Sequence, residues 1–150
     1  MLAVITGASS GIGATFARKL AARGWDLLLI ARRDDRLQAL ARELSAAHGR
    51  RVLTLVADLT HSEVLESVAL RIADTADLGL LINNAGFGTN GYFWEAEAHS
   101  QQQMHLLHVV ATARLTHAAL GNLVKQARSG TGVINVSSVA AFTEIGRAHV

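Results

Sequence analysis

Short apolar runs alternate with longer amphipathic stretches along the chain. Leu2–Thr6 is the first apolar run, and later runs at 26–31, 52–57, 78–82 and 132–136 each have the length of one buried strand. Between the runs, apolar residues recur at every third or fourth position, which is typical of one face of a helix. Continuous apolar strands joined through helices predict an α/β fold with a doubly wound parallel sheet, covered by helices on both faces.

The first two helical stretches have recognisable inner faces and ends. In the first, the residues expected to face the sheet are Ile12, Phe16 and Leu20. In the second, Asp34 or Asp35 is expected to cap the N-terminus, and Gly49 is placed to end the helix. The inner face of that second helix consists of Leu37, Leu40, Ala41 and Leu44.

Two further helices follow the third strand. The run Thr60–Glu63 fits a capping box, in which the threonine and the glutamate each satisfy a free backbone N–H. The stripe expected to face the sheet from this third helix is Val64, Val68 and Ile72. A long helix is predicted from about Glu97 to Arg128, weakly interrupted at Gly121.

Composition narrows the class of protein. The 150 residues are sufficient for one domain, half of them are hydrophobic, and the net charge is +2. This balance argues against a nucleic-acid partner, and the absence of cysteine excludes disulfides and cysteine-bound zinc. No apolar run has the length of a membrane-spanning helix, and the first residues do not resemble a signal peptide. A soluble, cytoplasmic domain without a membrane partner is expected.

The chemistry begins with a glycine-rich loop, Thr6–Gly13, between the first strand and the first helix. Glycines there permit a tight turn and let the backbone approach a pyrophosphate closely, while the helix N-terminus directs free N–H groups at the phosphates. No Gly-Lys-Ser/Thr sequence ends the run, which excludes the phosphate loop of nucleotide triphosphatases. The alternative is a glycine-rich turn that binds no ligand.

Three motifs together resemble those of the short-chain dehydrogenase/reductase family. They are Gly-x-x-x-Gly-x-Gly starting at Gly7, Asn83-Asn84-Ala85-Gly86 after the fourth strand, and Asn135-Val136-Ser137-Ser138 after the fifth. Each motif follows a strand, at the edge where open α/β sheets bind their ligands. The resemblance implies a Rossmann-type sheet with strand order 3-2-1-4-5, and the C-terminal strands and helices of the family would be missing from this chain.

The resemblance also implies a nicotinamide cofactor. Arg32 follows the second strand, where an arginine accepts the 2′-phosphate of NADP and an acidic residue would hold the ribose of NAD, so NADP(H) is expected. Alternatively, Arg32 and Arg33 are solvated charges neutralised by Asp34 and Asp35. The residues expected to bind the cofactor are Gly7, Ser9, Ser10, Gly11, Ile12, Gly13, Arg32, Asp58, Leu59, Asn84, Ala85 and Gly86.

Within that set, Asp58 and Leu59 resemble the pair that contacts adenine in the family. An equally open interpretation is that Asp58 only bonds the turn that follows its strand. Asn84, Ala85 and Gly86 carry over as neighbours of the cofactor ribose, and the small size of the last two would allow close backbone approach.

For catalysis, the resemblance implies hydride transfer between the nicotinamide and a carbonyl or alcohol carbon. Ser138 matches the serine that hydrogen-bonds the substrate oxygen, with Ser137 as the alternative and a purely structural serine as a further one. The family's Tyr-x-x-x-Lys is expected about thirteen residues later, and the chain contains none. Its only tyrosine, Tyr92, has Ala96 four residues on.

His108 lies where the family usually has an asparagine that orients a relay water. The favoured interpretation is a core histidine on the inward face of the long helix, and the alternative is a substitute proton-relay group and hence a catalytic residue. His105 and His108 do not form a convincing metal pair, because no carboxylate accompanies them, and no metal site is expected.

The predicted function is therefore that of an NADP-dependent short-chain oxidoreductase acting on a small-molecule carbonyl or alcohol, with a homo-oligomeric parent enzyme. One rival is a non-catalytic nucleotide-binding sensor, which the missing Tyr-x-x-x-Lys and His108 would favour. A second rival is a partner-binding domain with an empty glycine loop. The identity of the substrate is not encoded in the motifs present.

Length gives one more expectation, because the family's domain has roughly 250 residues. Residues 1–144 are interpreted as the N-terminal part of the dinucleotide-binding domain, and 145–150 as a non-native tail that sequencing-adapter read-through would encode. The chain is accordingly expected to be a fragment that is poorly soluble or only marginally folded, that binds NADP(H) weakly if at all, and that has no reductase activity.

Overall fold

The computed structural model describes residues 1–89, 92–126 and 128–138. Five strands alternate with helices in this part of the chain. The strands are β1 (Leu2–Thr6), β2 (Asp26–Ala31), β3 (Val52–Val56), β4 (Leu78–Asn83) and β5 (Gly132–Asn135). The helices are α1 (Gly11–Ala22), α2 (Asp34–His48), α3 (Ser62–Ala73), α4 (Ala98–His105), a π-helical segment (Leu106–Ala111) and α5 (Thr112–Gln126).

The strands form one parallel sheet in the order β3-β2-β1-β4-β5, which confirms the predicted fold class and strand order. β1 lies in the middle, with Val4 in register with Leu28 on one side and with Leu81 on the other. Because chain direction is the same in every strand, the carboxyl ends of all five lie at one edge of the sheet. The loops that carry the three motifs all emerge from that edge.

Two hydrophobic clusters occupy the two faces of the sheet. Successive residues of a strand point to opposite faces, so Ala3 and Ile5 of β1 pack into one cluster and Leu2 and Val4 into the other. The first cluster is covered by α1 and α2, and the second by α3 and α5. This arrangement confirms the prediction of a sheet covered on both sides.

The inner face of α1 differs from the predicted one. Ile12 is 58% exposed and Phe16 is only partly buried, whereas Ala14, Ala17 and Leu20 are buried. The face turned to the sheet consists mainly of small residues, which let the helix lie close to it. Ile12 instead stands in the first turn, where the helix begins beside the glycine-rich loop.

The N-terminal caps predicted for α2 and α3 are wrong, although their inner faces are largely as expected. Arg33 and His61 are the residues that precede these two helices, and neither makes a side-chain cap. Asp34 and Asp35 lie within the first turn of α2, where their negative charges interact favourably with the positive end of the helix dipole. Thr60 donates its hydroxyl proton to Asp58 instead of capping α3. The buried residues of α2 are Leu37, Leu40, Ala41 and Leu44, and those of α3 are Leu65, Val68, Ala69 and Ile72.

Gly49 ends α2 as predicted, with a left-handed φ of 61°. The long helix predicted from Glu97 is interrupted at a different place. Gly121 lies inside α5, and the irregularity is the π-helical segment that precedes α5. On the long helix, Leu123 is buried and Val110 is 48% exposed. No helix in the described ranges is long and apolar enough to cross a bilayer.

Candidate functional site

Two cavities open at the carboxyl edge of the sheet. Cavity A has a volume of about 380 Å³ and lies between the loops that follow β1, β2, β3 and β4. Cavity B has a volume of about 750 Å³ and lies between the loops that follow β4 and β5 and the long helix. Ten of the twelve predicted cofactor residues line cavity A: Gly7, Ser9, Ser10, Ile12, Arg32, Asp58, Leu59, Asn84, Ala85 and Gly86.

The other two, Gly11 and Gly13, shape the loop without lining the cavity. Gly7 and Gly11 have left-handed φ values of 65° and 56°, a conformation that side chains resist. A Cβ atom on Gly13 would lie 2.5 Å from the carbonyl oxygen of Gly7, so the first turn of α1 packs against the loop backbone. The requirement for glycine at these positions is therefore steric.

Thr6 and Asn84 join the glycine-rich loop to the loop after β4. The Thr6 hydroxyl oxygen accepts hydrogen bonds from the backbone N–H groups of Asn84 at 2.9 Å and Ala85 at 3.0 Å, and donates to the carbonyl of Ile82. In return, the Asn84 side-chain amide donates to the carbonyls of Thr6 at 2.9 Å and Gly7 at 3.2 Å. These contacts place the first and second motifs side by side.

Arg33 contacts the glycine-rich loop directly, and sequence reasoning did not select it. Its Nε and Nη2 donate to the hydroxyl oxygen of Ser9 at 3.2 and 2.9 Å, and Nη2 also donates to that of Ser10 at 2.7 Å. Within the described part of the chain, no carboxylate lies within 4 Å of its guanidinium. Arg33 thus brings an uncompensated positive charge to the wall of cavity A.

Arg32 lies in the same wall in a different electrostatic setting. Its Nη1 is 3.7 Å from a carboxylate oxygen of Asp58, and its side chain is 64% exposed. Among the described residues, neither arginine pairs with Asp34 or Asp35, so the neutralisation considered from sequence is wrong. The adjacency of two arginines was the signal available in the sequence, but it did not indicate which one faces the loop.

Asp58 combines the two interpretations that the sequence left open. Partial burial raises the pKa of its carboxyl. Hydrogen bonds from the hydroxyl and N–H of Thr60, together with the charge of Arg32, lower the pKa by more than burial raises it, so the net pKa lies below the ordinary value. The carboxylate therefore bonds the turn after β3, and it also lines cavity A. Leu59 is buried beside it.

Ser138, Ser137 and His108 all line cavity B. The His108 side chain is exposed, so its interpretation as a core histidine is wrong. Its Nε2 accepts a hydrogen bond from the backbone N–H of Phe87 at 3.1 Å. Phe87 lines both cavities, as do Ile12, Asn84, Ala85 and Gly86.

Asn83 links the second and third motifs. Its side-chain amide donates to the side-chain oxygen of Asn135 at 2.9 Å and to the hydroxyl of Thr116 at 3.0 Å. Its own side-chain oxygen is buried and has no partner among the described residues. Motif reading had identified the position of Asn83 but not this contact between β4, β5 and α5. In the described ranges, no cluster of three or more His, Asp or Glu side chains could hold a metal ion.

A family model described as short chain dehydrogenase matches residues 1–150. The human 17-beta-hydroxysteroid dehydrogenase type 3 is 32% identical over 143 residues, which are 93% of this chain and 45% of that protein. The chain spans about half the length of the curated relatives it matches.

Two solved structures have the same architecture. A short-chain dehydrogenase from Sphingobium yanoikuyae in complex with NADPH is 43% identical, with a TM-score of 0.90 over 97% of this chain and 57% of that one. A bulky-bulky ketone specific alcohol dehydrogenase from Comamonas testosteroni is 36% identical, with a TM-score of 0.91 over 95% of this chain and 57% of that one. The tail predicted at 145–150 lies outside the described residues.

Proposed function

Because the chain belongs to the short-chain dehydrogenase family, we propose that the protein of which it forms part transfers hydride between NADP(H) and a small-molecule carbonyl or alcohol. An oxidoreductase is the function established at family level.

The observation that carries the proposal is the set of anion-binding groups around cavity A. The N-terminus of α1 begins at the cavity, and a helix N-terminus offers free N–H groups and a partial positive charge to phosphates. Arg33 adds a full charge held on two serine hydroxyls, and Arg32 lies beside it. Two cations bind the 2′-phosphate on the ribose of NADP more favourably than the uncharged 2′-hydroxyl at the same position of NAD.

The steric features of the cavity fit a dinucleotide as well. A Cβ on Gly7 would lie 2.8 Å from the Cα of Ala85, so the two loops meet closely without side chains between them. The cofactor bound there would supply or accept the hydride. The NADPH complex of the Sphingobium relative supports the same choice of cofactor.

On the substrate side, we assign Ser138 to the substrate oxygen, because it lines cavity B, which shares part of its lining with cavity A. A hydroxyl donor there would stabilise negative charge that develops on a carbonyl oxygen during reduction. The relay role of His108 stays a prediction, since its Nε2 is already engaged by Phe87.

The chain lacks the Tyr-x-x-x-Lys that would move the proton, because its single tyrosine, Tyr92, is followed by Ala96 at the fourth position. We therefore propose that these 150 residues bind cofactor without turning over substrate. The parent protein would supply the tyrosine and the lysine from residues that follow Ser138.

Fluorescence titration of the purified chain with NADPH and with NADH tests the binding step. We expect saturable binding with a clear preference for NADPH, and absence of binding to either nucleotide would overturn the proposal.

Assay of a carbonyl panel with a C-terminally extended parent tests the chemistry. Cofactor binding without any turnover by that extended protein would support the sensor alternative instead.

Self-association is the last part of the proposal. An apolar stripe on the outer face of the long helix comprises Val109, Val110, Leu120 and Val124, each between 45% and 71% exposed. A stripe of this kind is suited to pack against a second copy of the chain. We propose that the parent is a homo-oligomer, which sedimentation of the extended protein would test.

A further inference from the structure

We propose that the outer edge of β3 binds a second copy of the chain, strand to strand and antiparallel, about a two-fold axis that passes beside Thr54. In the described part of the chain, β3 is the terminal strand of the sheet and pairs only with β2. This inference goes beyond the proposed function, since it requires neither a bound nucleotide nor the apolar stripe on the long helix.

The backbone hydrogen bonds at the two ends of β3 show which residues face the outer edge. The carbonyl of Arg51 and the N–H of Ala57 both bond to residues of β2, at 2.9 and 3.0 Å. Backbone groups of successive residues in a strand point to opposite edges, so every second residue bonds to β2. The residues between them, Val52, Thr54 and Val56, therefore direct their N–H and C=O groups to the outer edge.

This edge lacks the features that usually prevent strands from pairing with another chain. Such features are charged side chains, prolines and bulges. The sequence of β3 contains no charged residue and no proline, and its register with β2 is continuous from Val52 to Val56. Val56 is also 51% exposed. The edge is therefore open to a further strand.

The sequence of β3 identifies the strand that fits. It reads Val-Leu-Thr-Leu-Val, which is the same in both directions about Thr54. In an antiparallel pair centred there, Thr54 faces Thr54 of the second copy, and Val52 faces its Val56. Facing threonines are a favourable cross-strand pair, and a surface that complements itself is what a two-fold interface requires. The occupant assigned to this edge is therefore a second copy.

The leucines of β3 support the same arrangement on the face covered by α3. Leu53 and Leu55 are only partly buried, and they line a cavity of about 630 Å³ together with Leu2 and Leu28. In the antiparallel pair, Leu53 of one copy faces Leu55 of the other. The cavities of the two copies would then adjoin, and their apolar floor would continue from one sheet into the next.

The charges that flank β3 favour antiparallel over parallel pairing. Arg50 and Asp58 lie equally far before and after Thr54 in the sequence. Antiparallel pairing therefore brings Arg50 of one copy opposite Asp58 of the other, whereas parallel pairing in register would align each charge with its own kind. Opposite charges at facing positions stabilise a strand pair, and like charges destabilise it.

Cross-linking through introduced cysteines tests the register, because the 150-residue chain has no cysteine of its own. In T54C the two Cα atoms would lie about 5.5 Å apart, the spacing of a hydrogen-bonded antiparallel pair and within the range of a disulfide. We expect T54C to become a covalent dimer under mild oxidation, seen on a non-reducing gel.

V52C is the matched control, since it lies on the same edge and the same face of the strand. Its two cysteines would be about 13 Å apart, so V52C alone should stay monomeric. A mixture of V52C and V56C should form the mixed disulfide. Failure of T54C to cross-link, or equal cross-linking of T54C and V52C, would overturn the proposal.

Sedimentation covers the outcome in which the cysteine variants fold poorly. The wild-type chain should dimerise, and V56K should raise the dissociation constant of the dimer about tenfold or more, because a lysine opposes pairing at an edge. L70K, at a position of α3 that is 55% exposed, should leave the dissociation constant unchanged. A monomeric wild-type chain, or equal effects of V56K and L70K, would contradict the pairing.

V124K separates this interface from the apolar stripe on the long helix, in which Val124 lies. Dimers that dissociate in V124K and persist in V56K would overturn the inference and leave the proposed function standing. Dimers that dissociate in V56K and persist in V124K would support the inference, whether or not the chain binds NADPH.

Discussion

The guanidinium of Arg33 donates to the hydroxyl oxygen of Ser10 at 2.7 Å, which ties the start of α2 to the residue that precedes α1. The same Nη2 also donates to Ser9, so one side chain holds two consecutive serines of the glycine-rich loop. Hydroxyl groups do not neutralise a cation. The site therefore keeps a positive charge that a phosphate can neutralise.

Removal of this charge should weaken NADPH binding selectively. We expect Arg33→Ala to raise the dissociation constant for NADPH about tenfold to hundredfold, the loss typical of a charge-assisted hydrogen bond, and to leave that for NADH nearly unchanged. Arg32→Ala should have a smaller effect, because Asp58 already shares its charge. Fluorescence titration with both nucleotides gives the measurement.

Arg36→Ala is the matched control, because it removes the same charge from an exposed position on α2. Equal losses in Arg33→Ala and Arg36→Ala would mean that only net charge matters. Equal losses for both nucleotides in Arg33→Ala would show that the residue does not recognise the extra phosphate.

Thr6 is expected to contribute to stability far beyond its size. Thr6→Val keeps the shape of the side chain but leaves two backbone N–H groups, those of Asn84 and Ala85, without their acceptor. Because Thr6 is only 2% exposed, we expect a loss of about 2 kcal/mol or more in the free energy of unfolding, measured by urea denaturation. Thr15→Val, at an exposed helical site, should cost less than about 0.5 kcal/mol, and equal costs would contradict the assignment.

Two glycines should respond to the same substitution with opposite signs. Gly13→Ala would force a methyl group against the Gly7 carbonyl oxygen and should cost about 1–3 kcal/mol of stability. Gly121→Ala lies in α5 with no neighbour within 4 Å and should add about 0.5–1 kcal/mol through helix propensity. Thermal and urea unfolding of both variants decide the point, and stabilisation by Gly13→Ala would show that the loop is not closely packed.

Asp26 should make stability depend on acidity. Partial burial raises the pKa of its carboxyl, but hydrogen bonds from the Arg50 side chain and the Arg51 N–H, with the charges of both arginines, bring the net pKa below its ordinary value. Because the pKa is lower in the folded chain, the carboxylate stabilises the fold at pH values above its pKa in the unfolded chain, which is near 4. This stabilisation is lost as the pH falls through the pKa of the folded chain.

Asp26→Asn should therefore be less stable than wild type at pH 7, and the difference should narrow below about pH 4. Urea unfolding at pH 7, 5 and 3 measures the difference. Asp77→Asn is the control. The Asp77 carboxylate also lies near Arg51, at 3.5 Å, but its side chain is 50% exposed. A difference for Asp26→Asn that is constant across the pH range would contradict the linkage.

The hydrophobic pattern predicted a parallel sheet covered on both faces, because the period of apolar residues and the order of elements are visible in a single sequence. The strand order and most of the cavity lining were implied by the resemblance of the three motifs to the short-chain dehydrogenase/reductase family. The helix caps at Asp34 and Thr60 were wrong, because capping depends on where a side chain finds its acceptor, and Asp58 competes for the Thr60 hydroxyl. The π-helical segment could not be predicted, since its residues have the same composition as an ordinary helix.

Within the site, the sequence did not determine the directions of side chains. Arg32 and Arg33 are adjacent and chemically identical, and only the backbone path at the end of β2 determines which one meets the serines. His108 was assigned to the core by helical period alone. His108 instead lines cavity B from the π-helical segment.

The two hydrophobic clusters are completed at different points along the chain. Among the residues that the structure describes, all but two buried members of the cluster under α1 and α2 come from residues 3–44, and the remaining two, Leu80 and Ile82, belong to β4. The opposite cluster includes residues as late as Leu123. Since a protein emerges from the ribosome with its N-terminus first, one face of the sheet can be nearly assembled before the other has its helices. The nascent chain would then present its second face bare, as a surface for chaperones, until α5 has been synthesised.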